Sequence, residues 1–153
     1  QKIKSYTKFE GPIRRTKRST VKLDISNKLI IESLIEMGIP SQQKTFSANW
    51  VSGIPKDLMN HFVRGVFDGD GSIYSKNKKM AIQFLGTKNL LENILKVIPA
   101  KEKAIYFRGK DGKSNVYAIQ FSSKSETKDI YDWMYKDASI FSQRKYDKFQ
   151  EFL

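Results

Sequence analysis

The chain has 153 residues, no cysteine, one histidine, and 28 lysine and arginine residues against 16 aspartate and glutamate residues, giving a formal net charge of +12. This length fits one domain with a sizeable core. The missing cysteines exclude disulfides, thiolate metal sites and thiol catalysis within the chain, and a single histidine argues against a Ser-His-Asp triad. No apolar run approaches the length of a membrane span, and no signal-peptide pattern is visible. We therefore expect an intracellular protein, cytoplasmic or organellar, whose basic surface binds a polyanion, above all nucleic acid.

The first 25 residues predict two strands around a basic turn. Ile3, Tyr6 and Phe9 precede a Gly-Pro turn, and the segment 21–25 alternates between apolar and polar residues, as in a half-buried strand. A helix to about residue 37 follows, capped by Ser26 or Asn27 and ended by a glycine.

The next helix, about residues 55–71, is predicted to be buried because its apolar residues cover a wide face. It ends in Asp68-Gly69-Asp70-Gly71. Carboxylates at a helix C-terminus face the negative end of the dipole, so this placement calls for a compensating partner, and a divalent cation would supply one. The alternative is a plain Asp-Gly turn that closes the helix. A calcium loop of the EF-hand type is a rival that fails, because Lys79 stands where the closing glutamate belongs.

The remaining segments predict two hairpins, each followed by a helix. The expected elements are strands at about 72–76 and 80–86, a helix at 88–98, strands at 103–109 and 114–122, a helix near 125–137 and a last helical segment at 142–153. Alternation along 103–109 places Tyr106 and Arg108 on one face and Ile105 and Phe107 on the other.

An internal repeat organises these elements. Ser41-Gln42-Gln43-Lys44 resembles Ser142-Gln143-Arg144-Lys145, and each follows a hairpin and a helix. We therefore predict that residues 1–46 are the back half of a first unit, 47–54 a linker and 55–153 a complete second unit. The chain begins with glutamine, and we expect an upstream segment or a second chain to supply the front half.

The stretch Val63–Gly71 resembles the signature of the LAGLIDADG homing endonucleases, and Ile54-Pro55, His61-Phe62 and Ser142–Lys145 resemble the same subgroup. Arg64 and Phe67 depart from the signature. The resemblance implies an α+β fold of αββαββα units with saddle-shaped antiparallel sheets. It also implies a site-specific, metal-dependent endonuclease that hydrolyses phosphodiesters of double-stranded DNA.

The resemblance further implies roles for individual residues. Asp70 would bind the metal, with the Gly69 carbonyl as a further ligand; the ion would be Mg²⁺, or Mn²⁺ or Ca²⁺ in its place. Lys145 would lie near the scissile phosphate, with Lys44 as its mate from the first unit. Gln83 would orient a water near the metal, whereas Asp68 and His61 are expected to be structural.

Base recognition is expected on the outward faces of the strands, since a two-stranded ribbon fits the major groove. The expected base contacts are Lys22, Asp24, Tyr74, Lys76, Gln83, Tyr106, Arg108 and Gln120. The expected phosphate contacts, which position DNA without specifying its sequence, are Arg14, Arg15, Lys17, Arg18, Lys78, Lys79, Lys110 and Lys113. Two alternatives stay open: a DNA-binding regulator that has lost cleavage, and an RNA-binding maturase-like module.

Overall fold

A computed structural model describes residues 2–17, 20–39, 50–76, 79–109 and 115–153, and it contains two compact units, Gln1–Glu36 and Met37–Leu153. Some of the expected site residues lie outside the described residues, namely Arg18, Lys44, Lys78, Lys110 and Lys113. Of Lys76 and Lys79, the backbone alone is described.

The first unit has, in order, helix α1 (Lys2–Thr7), strands β1 (Arg14–Arg15) and β2 (Val21–Lys22), and helix α2 (Lys28–Glu36). The prediction of a strand at its start was wrong. The three-residue spacing of Ile3, Tyr6 and Phe9 matches a helical turn better than strand alternation, and the Thr7 hydroxyl donates to the Ile3 carbonyl at 2.9 Å. The short strands β1 and β2 pair antiparallel.

Helix α2 begins and ends as expected. The Asn27 side-chain oxygen accepts a hydrogen bond from the Ile30 amide at 3.2 Å, and Gly38 has a φ of +89°, a conformation that glycine adopts without strain. None of the helix residues is buried. Its apolar side chains are exposed, among them Leu29, Ile31, Leu34 and Ile35.

The second unit contains a 3-10 turn and eight regular elements among its described residues. These are the turn Lys56–Leu58, α3 (Met59–Asp70), β3 (Ser72–Lys76), β4 (Lys79–Gly86), α4 (Lys88–Val97), β5 (Tyr106–Phe107), β6 (Tyr117–Phe121), α5 (Lys124–Tyr135) and α6 (Gln143–Gln150). The predicted α+β class with antiparallel sheets is confirmed. Among the described residues, no helix is long and apolar enough to cross a membrane.

The four strands of the second unit form one antiparallel sheet in the order β3-β4-β6-β5. Alternate residues of the central strands are fully buried in the hydrophobic core, as Ile82, Phe84, Ile119 and Phe121 show. Helix α3 contributes Val63 and Phe67 to the same core. Because side chains alternate along a strand, this leaves the opposite face of the sheet for polar residues.

The second hairpin is shorter than predicted, since β5 has only two residues and β6 five. The pairing continues beyond β5 through a hydrogen bond from the Arg108 amide to the Val116 carbonyl at 2.8 Å. Phe107, expected on the face opposite Tyr106 and Arg108, is 50% exposed. Phe107 lies on the edge strand of the sheet. Among the described aromatic side chains, only Tyr117 packs against it, with the two rings edge-on.

The predicted linker contains a residue, Trp50, that packs against helices α3 and α4 of the second unit, to which it belongs. The Trp50 amide donates to the Asn89 side chain at 3.1 Å, and the Trp50 ring meets Phe62 edge-on with centroids 5.3 Å apart. The predicted boundaries of the repeat halves otherwise stay a prediction.

Candidate metal and nucleic-acid site

The acidic end of helix α3 is fixed by aromatic packing. Phe67 is fully buried, and its ring centroid lies 5.0 Å from that of Phe84 on β4 and 5.7 Å from that of Phe149 on α6. Tilted aromatic contacts of this kind add to the stabilisation that burial of the rings already gives. The last turn of α3 is therefore held against both the sheet and the final helix.

Lys145 neutralises the C-terminus of α3. Its Nζ donates to the carbonyl of Phe67 at 2.5 Å and to that of Asp68 at 3.0 Å, and it lies 5.0 Å from the centre of the Phe67 ring. A cation here is favoured because the last carbonyls of a helix lack partners and carry the negative end of its dipole. Burial lowers the pKa of Lys145, while the nearby Asp68 and Asp70 carboxylates act to raise it.

These contacts differ from the phosphate contact expected of Lys145. The side chain is only 3% exposed, and two of its three N–H groups are used on the helix end. Part of the compensation that the helix dipole requires thus comes from the protein itself. A contact of Lys145 with a phosphate stays a prediction.

Asp68 joins α3 to the start of α6. One carboxylate oxygen, Oδ2, accepts a hydrogen bond from the Ser142 amide at 2.9 Å. The other, Oδ1, is buried and has no hydrogen-bond partner among the described residues. The first contact agrees with the structural role expected of Asp68, and the second leaves an acceptor oxygen without a donor.

Asp70 is the last residue of α3 and is exposed. Its carboxylate makes no hydrogen bond or ion pair with any residue that the structure describes. Asp70 lies two residues before Ser72, the first residue of β3, and Ser72 is the Cα partner of Gln83. The acid therefore lies at the Gln83 end of the sheet.

The oxygen atoms at this end of α3 suit a hard divalent cation. The exposed carboxylate of Asp70, which has no partner among the described residues, is an anionic oxygen donor, and Mg²⁺ is held by one or two carboxylates with water and phosphate oxygens completing its shell. The Oδ1 atom of Asp68 is buried, and side chains two residues apart on a helix do not face each other, so Asp68 does not supply a second ligand to the same ion. The described residues contain no group of three or more histidine, cysteine, aspartate or glutamate side chains that could hold a metal. The remaining ligands would therefore come from outside this set of residues.

A buried arginine supports the same region and was not predicted as a site residue. Arg64 donates to the carbonyls of Met134 at 2.7 Å and Ile140 at 3.1 Å, and its Nη1 lies 2.7 Å from Nδ1 of His61. Burial lowers the pKa of Arg64, and the nearby Asp68 acts to raise it. Arg64 thereby ties α3 to the segment that leads into α6. The feature of the sequence that could have identified Arg64 is a charged residue among the apolar residues of a helix predicted to be buried.

A chain of hydrogen bonds crosses the open face of the sheet. The Tyr74 hydroxyl donates to Gln83 Oε1 at 2.9 Å, Gln83 Nε2 donates to the Tyr106 hydroxyl at 2.6 Å, and that hydroxyl donates to Gln120 Oε1 at 3.4 Å. These four residues come from β3, β4, β5 and β6, and each was a predicted contact. Gln83 is only 3% exposed and has both amide groups engaged, so its expected role in orienting water stays a prediction.

The expected contacts of the first unit are at its surface. Arg14, Arg15 and Lys17 are exposed. Lys22 and Asp24 form an ion pair of 2.9 Å, with 63% and 52% of their side chains exposed. Lys22 and Asp24, both expected to contact DNA, therefore neutralise each other's charge. The exposed Arg14 and Arg15 form no ion pair with the described residues, so their charges can still interact with phosphates.

No protein-family model and no curated protein sequence matches the chain. Solved structures of homing endonucleases do match the chain. The Val63–Gly71 motif resembles the signature of that same family. I-TnaI matches with 17% identity and a TM-score of 0.46 over 65% of this chain and 69% of its own. I-CvuI, solved in complex with its target in the presence of 2 mM Ca, matches with 12% identity and a TM-score of 0.38 over 52% of this chain and 55% of its own.

A LAGLIDADG meganuclease, I-AabMI, solved bound to uncleaved DNA, matches with 21% identity and a TM-score of 0.45. The match covers 61% of this chain but 34% of I-AabMI, so this chain spans about a third of that protein's length.

Proposed function

We propose that this chain is part of a divalent-metal-dependent endonuclease of the homing type, which cleaves double-stranded DNA at a specific site. The observation that carries the proposal is the exposed carboxylate of Asp70, unpaired among the described residues, at the end of a sheet whose open face presents a chain of polar side chains. The net charge of +12 supports a polyanionic partner. The resemblance of Val63–Gly71 to the LAGLIDADG signature supports the reaction.

Each part of the site has a proposed task. Asp70 would hold the divalent ion; such an ion, when bound, activates a water and stabilises the leaving oxygen of a phosphodiester. Asp68, bonded to the Ser142 amide, would hold the end of α3 in place. Lys145 fixes the last turn of α3 through its carbonyls and so positions Asp70. The open face of the sheet would enter the major groove, and exposed basic residues would neutralise phosphates.

Cleavage of both strands requires a second acid, and α3 has a surface that would accept its carrier. A Cβ atom placed on Gly65 or Gly69 meets nothing within 4 Å, so this side of the helix is open among the described residues. Leu58, the last residue of the 3-10 turn that precedes this helix, is 47% exposed. We propose that an equivalent helix from an upstream segment or a second chain packs here, because glycines allow two helices to approach closely.

Substitution of the proposed metal ligand tests the proposal. Asp70→Asn should reduce Mg²⁺-dependent cleavage of a duplex selected for binding by about 100-fold or more, because the charge that holds the metal is lost. Binding of the same duplex should be preserved. The matched control is Asp129→Asn, an exposed aspartate on α5, which should cut like the parent protein.

Equal cleavage by the parent protein and the Asp70→Asn variant would show that the catalytic assignment is wrong. A DNA-binding protein without cleavage is the second candidate, favoured by the use of the Lys145 ammonium on the helix end. Selective duplex binding without any cleavage would support that candidate. If structured RNA displaces the duplex at equal concentration, the assignment of DNA as partner is wrong.

A further inference from the structure

Helix α6 lies along the segment that carries Asp70, as the contacts of two of its lysines show. The Lys145 ammonium donates to two carbonyls in the last turn of α3, and the Lys148 ammonium donates to the Ile73 carbonyl of β3 at 3.2 Å. These acceptors lie before and after Asp70 in the sequence. The side of α6 that carries the two lysines therefore faces the turn from α3 into β3.

Arg144 shares this side of α6. It lies one residue before Lys145 and four residues before Lys148, and residues four apart on a helix are neighbours on one face. Helical side chains also lean toward the N-terminus of their helix. In α6 this is the end that is bonded to α3 through the Ser142 amide. Arg144 therefore lies on the turn of α6 nearest the end of α3.

The charge of Arg144 is available, in contrast to the charges of the two lysines. Arg144 is exposed, and its guanidinium makes no hydrogen bond or ion pair with the residues that the structure describes. Burial is the main cause that lowers the pKa of Lys145, and Asp68 opposes it. Arg144 also lowers this pKa and Asp70 raises it, so both charges lie within electrostatic range of the Lys145 ammonium.

Hydrolysis of a phosphodiester requires a cation at the phosphate oxygens. A water oxygen forms a bond to phosphorus while the bond to the departing sugar oxygen breaks. One water proton stays on the phosphate product, and the other ends on that sugar oxygen. A positive group next to the phosphate stabilises the negative charge of the transition state. Arginine suits this task because its planar guanidinium can donate two parallel hydrogen bonds to a phosphate and stays charged.

We infer that Arg144, rather than Lys145, contacts the phosphate that is cleaved next to Asp70 and stabilises the negative charge of its oxygens in the transition state. Arg144 neither takes up nor releases a proton in this role. Lys145 holds the last turn of α3 and so positions Asp70. The inference rests on the proposed function, since it assumes that the chain cleaves DNA at Asp70.

Single-turnover cleavage tests the inference. A duplex that the parent protein cuts is bound by excess protein, and Mg²⁺ starts the reaction. Arg144→Gln should cut about 100-fold more slowly, because the cation at the phosphate is lost. Arg144→Lys keeps the charge without the planar fork and should stay within about tenfold of the parent. The matched control is Lys124→Gln in the first turn of α5, which removes an exposed charge and should cut at the parent rate.

A binding measurement tests the contact without using the cleavage rate. The phosphate at the cut position is replaced by an uncharged methylphosphonate, and both duplexes are titrated without Mg²⁺ against the parent and Arg144→Gln. The replacement should weaken binding by the parent at least about fivefold more than binding by the variant, because the variant has already lost the partner of that charge.

Two results would overturn the inference: cleavage by Arg144→Gln at the parent rate, or an equal loss of affinity by both proteins for the methylphosphonate duplex. If the parent protein cuts no duplex, the proposed function itself fails. That outcome is distinct from the other two, which both require a parent protein that cuts.

Discussion

At the scale of single residues, Lys145 does most to define the site. A carboxylate pair at the end of a helix is unfavourable without a cation, and the structure places this ammonium on the carbonyls of Phe67 and Asp68. The dipole argument for a bound metal is therefore weaker than the sequence alone indicates. The argument that remains is local: the Asp70 carboxylate is exposed and unpaired among the described residues.

Replacement of Lys145 by methionine should destabilise the fold by about 2–4 kcal/mol, because two hydrogen bonds from a charged donor are lost and their carbonyls become unpaired. Methionine keeps much of the volume of the side chain, so the change isolates the ammonium. Urea unfolding at neutral pH measures the effect. Lys128→Met, on the exposed surface of α5, should change stability by less than about 0.5 kcal/mol. Equal midpoints for Lys145→Met and the parent would contradict the capping role.

At the scale of elements, the turn from α3 into β3 requires a glycine at position 71. The surroundings of Gly71 differ from those of Gly65 and Gly69 in the same motif. A Cβ on Gly71 would lie 2.6 Å from the Phe67 carbonyl oxygen and 2.4 Å from Cδ2 of its ring. A Cβ on Gly65 would meet nothing within 4 Å. Gly71 therefore allows the chain to turn tightly from α3 into β3, whereas Gly65 leaves an open helix surface.

Alanine at these two positions should have opposite effects on stability. Gly65→Ala should raise the free energy of unfolding by about 0.5–1 kcal/mol, because alanine favours the helix and its methyl group clashes with nothing. Gly71→Ala should lower it by about 1–3 kcal/mol, because the methyl group overlaps the backbone and ring of Phe67. Urea unfolding of the two variants beside the parent tests both. Loss of stability in Gly65→Ala would mean that this face of α3 is already covered.

The sequence predicted the elements with strong periodicity well, and it failed where the signal was local or weak. Helix α3 and strands β3 and β4 follow from apolar spacing, and the alternation of Tyr106 and Gln120 with core residues placed them on the open face. The start of the chain was assigned the wrong element because a spacing of three residues was taken as a strand. The contact of Lys145 with Phe67 joins residues 78 positions apart, so no local pattern could indicate it.

At the scale of the whole molecule, the excess of basic residues is the property that the proposed function uses most directly. A charge of +12 attracts any polyanion, so net charge alone does not show where DNA binds. Local contacts differ from net charge in one measurable respect. A side chain that neutralises a phosphate releases a counterion, whereas a distant charge contributes little to the salt dependence.

The salt dependence of duplex binding separates these two contributions. Arg14 and Arg15 lie on the exposed strand β1, and converting both to glutamine should make the slope of log affinity against log salt less negative by about 2 between roughly 50 and 200 mM salt. Lys88→Gln with Lys128→Gln removes the same charge from helix lysines that face Glu92 and Asp132, and it should leave the slope nearly unchanged. Fluorescence anisotropy with a labelled duplex measures both. Equal slopes for the two double variants would mean that net charge, and not contact by Arg14 and Arg15, sets the affinity.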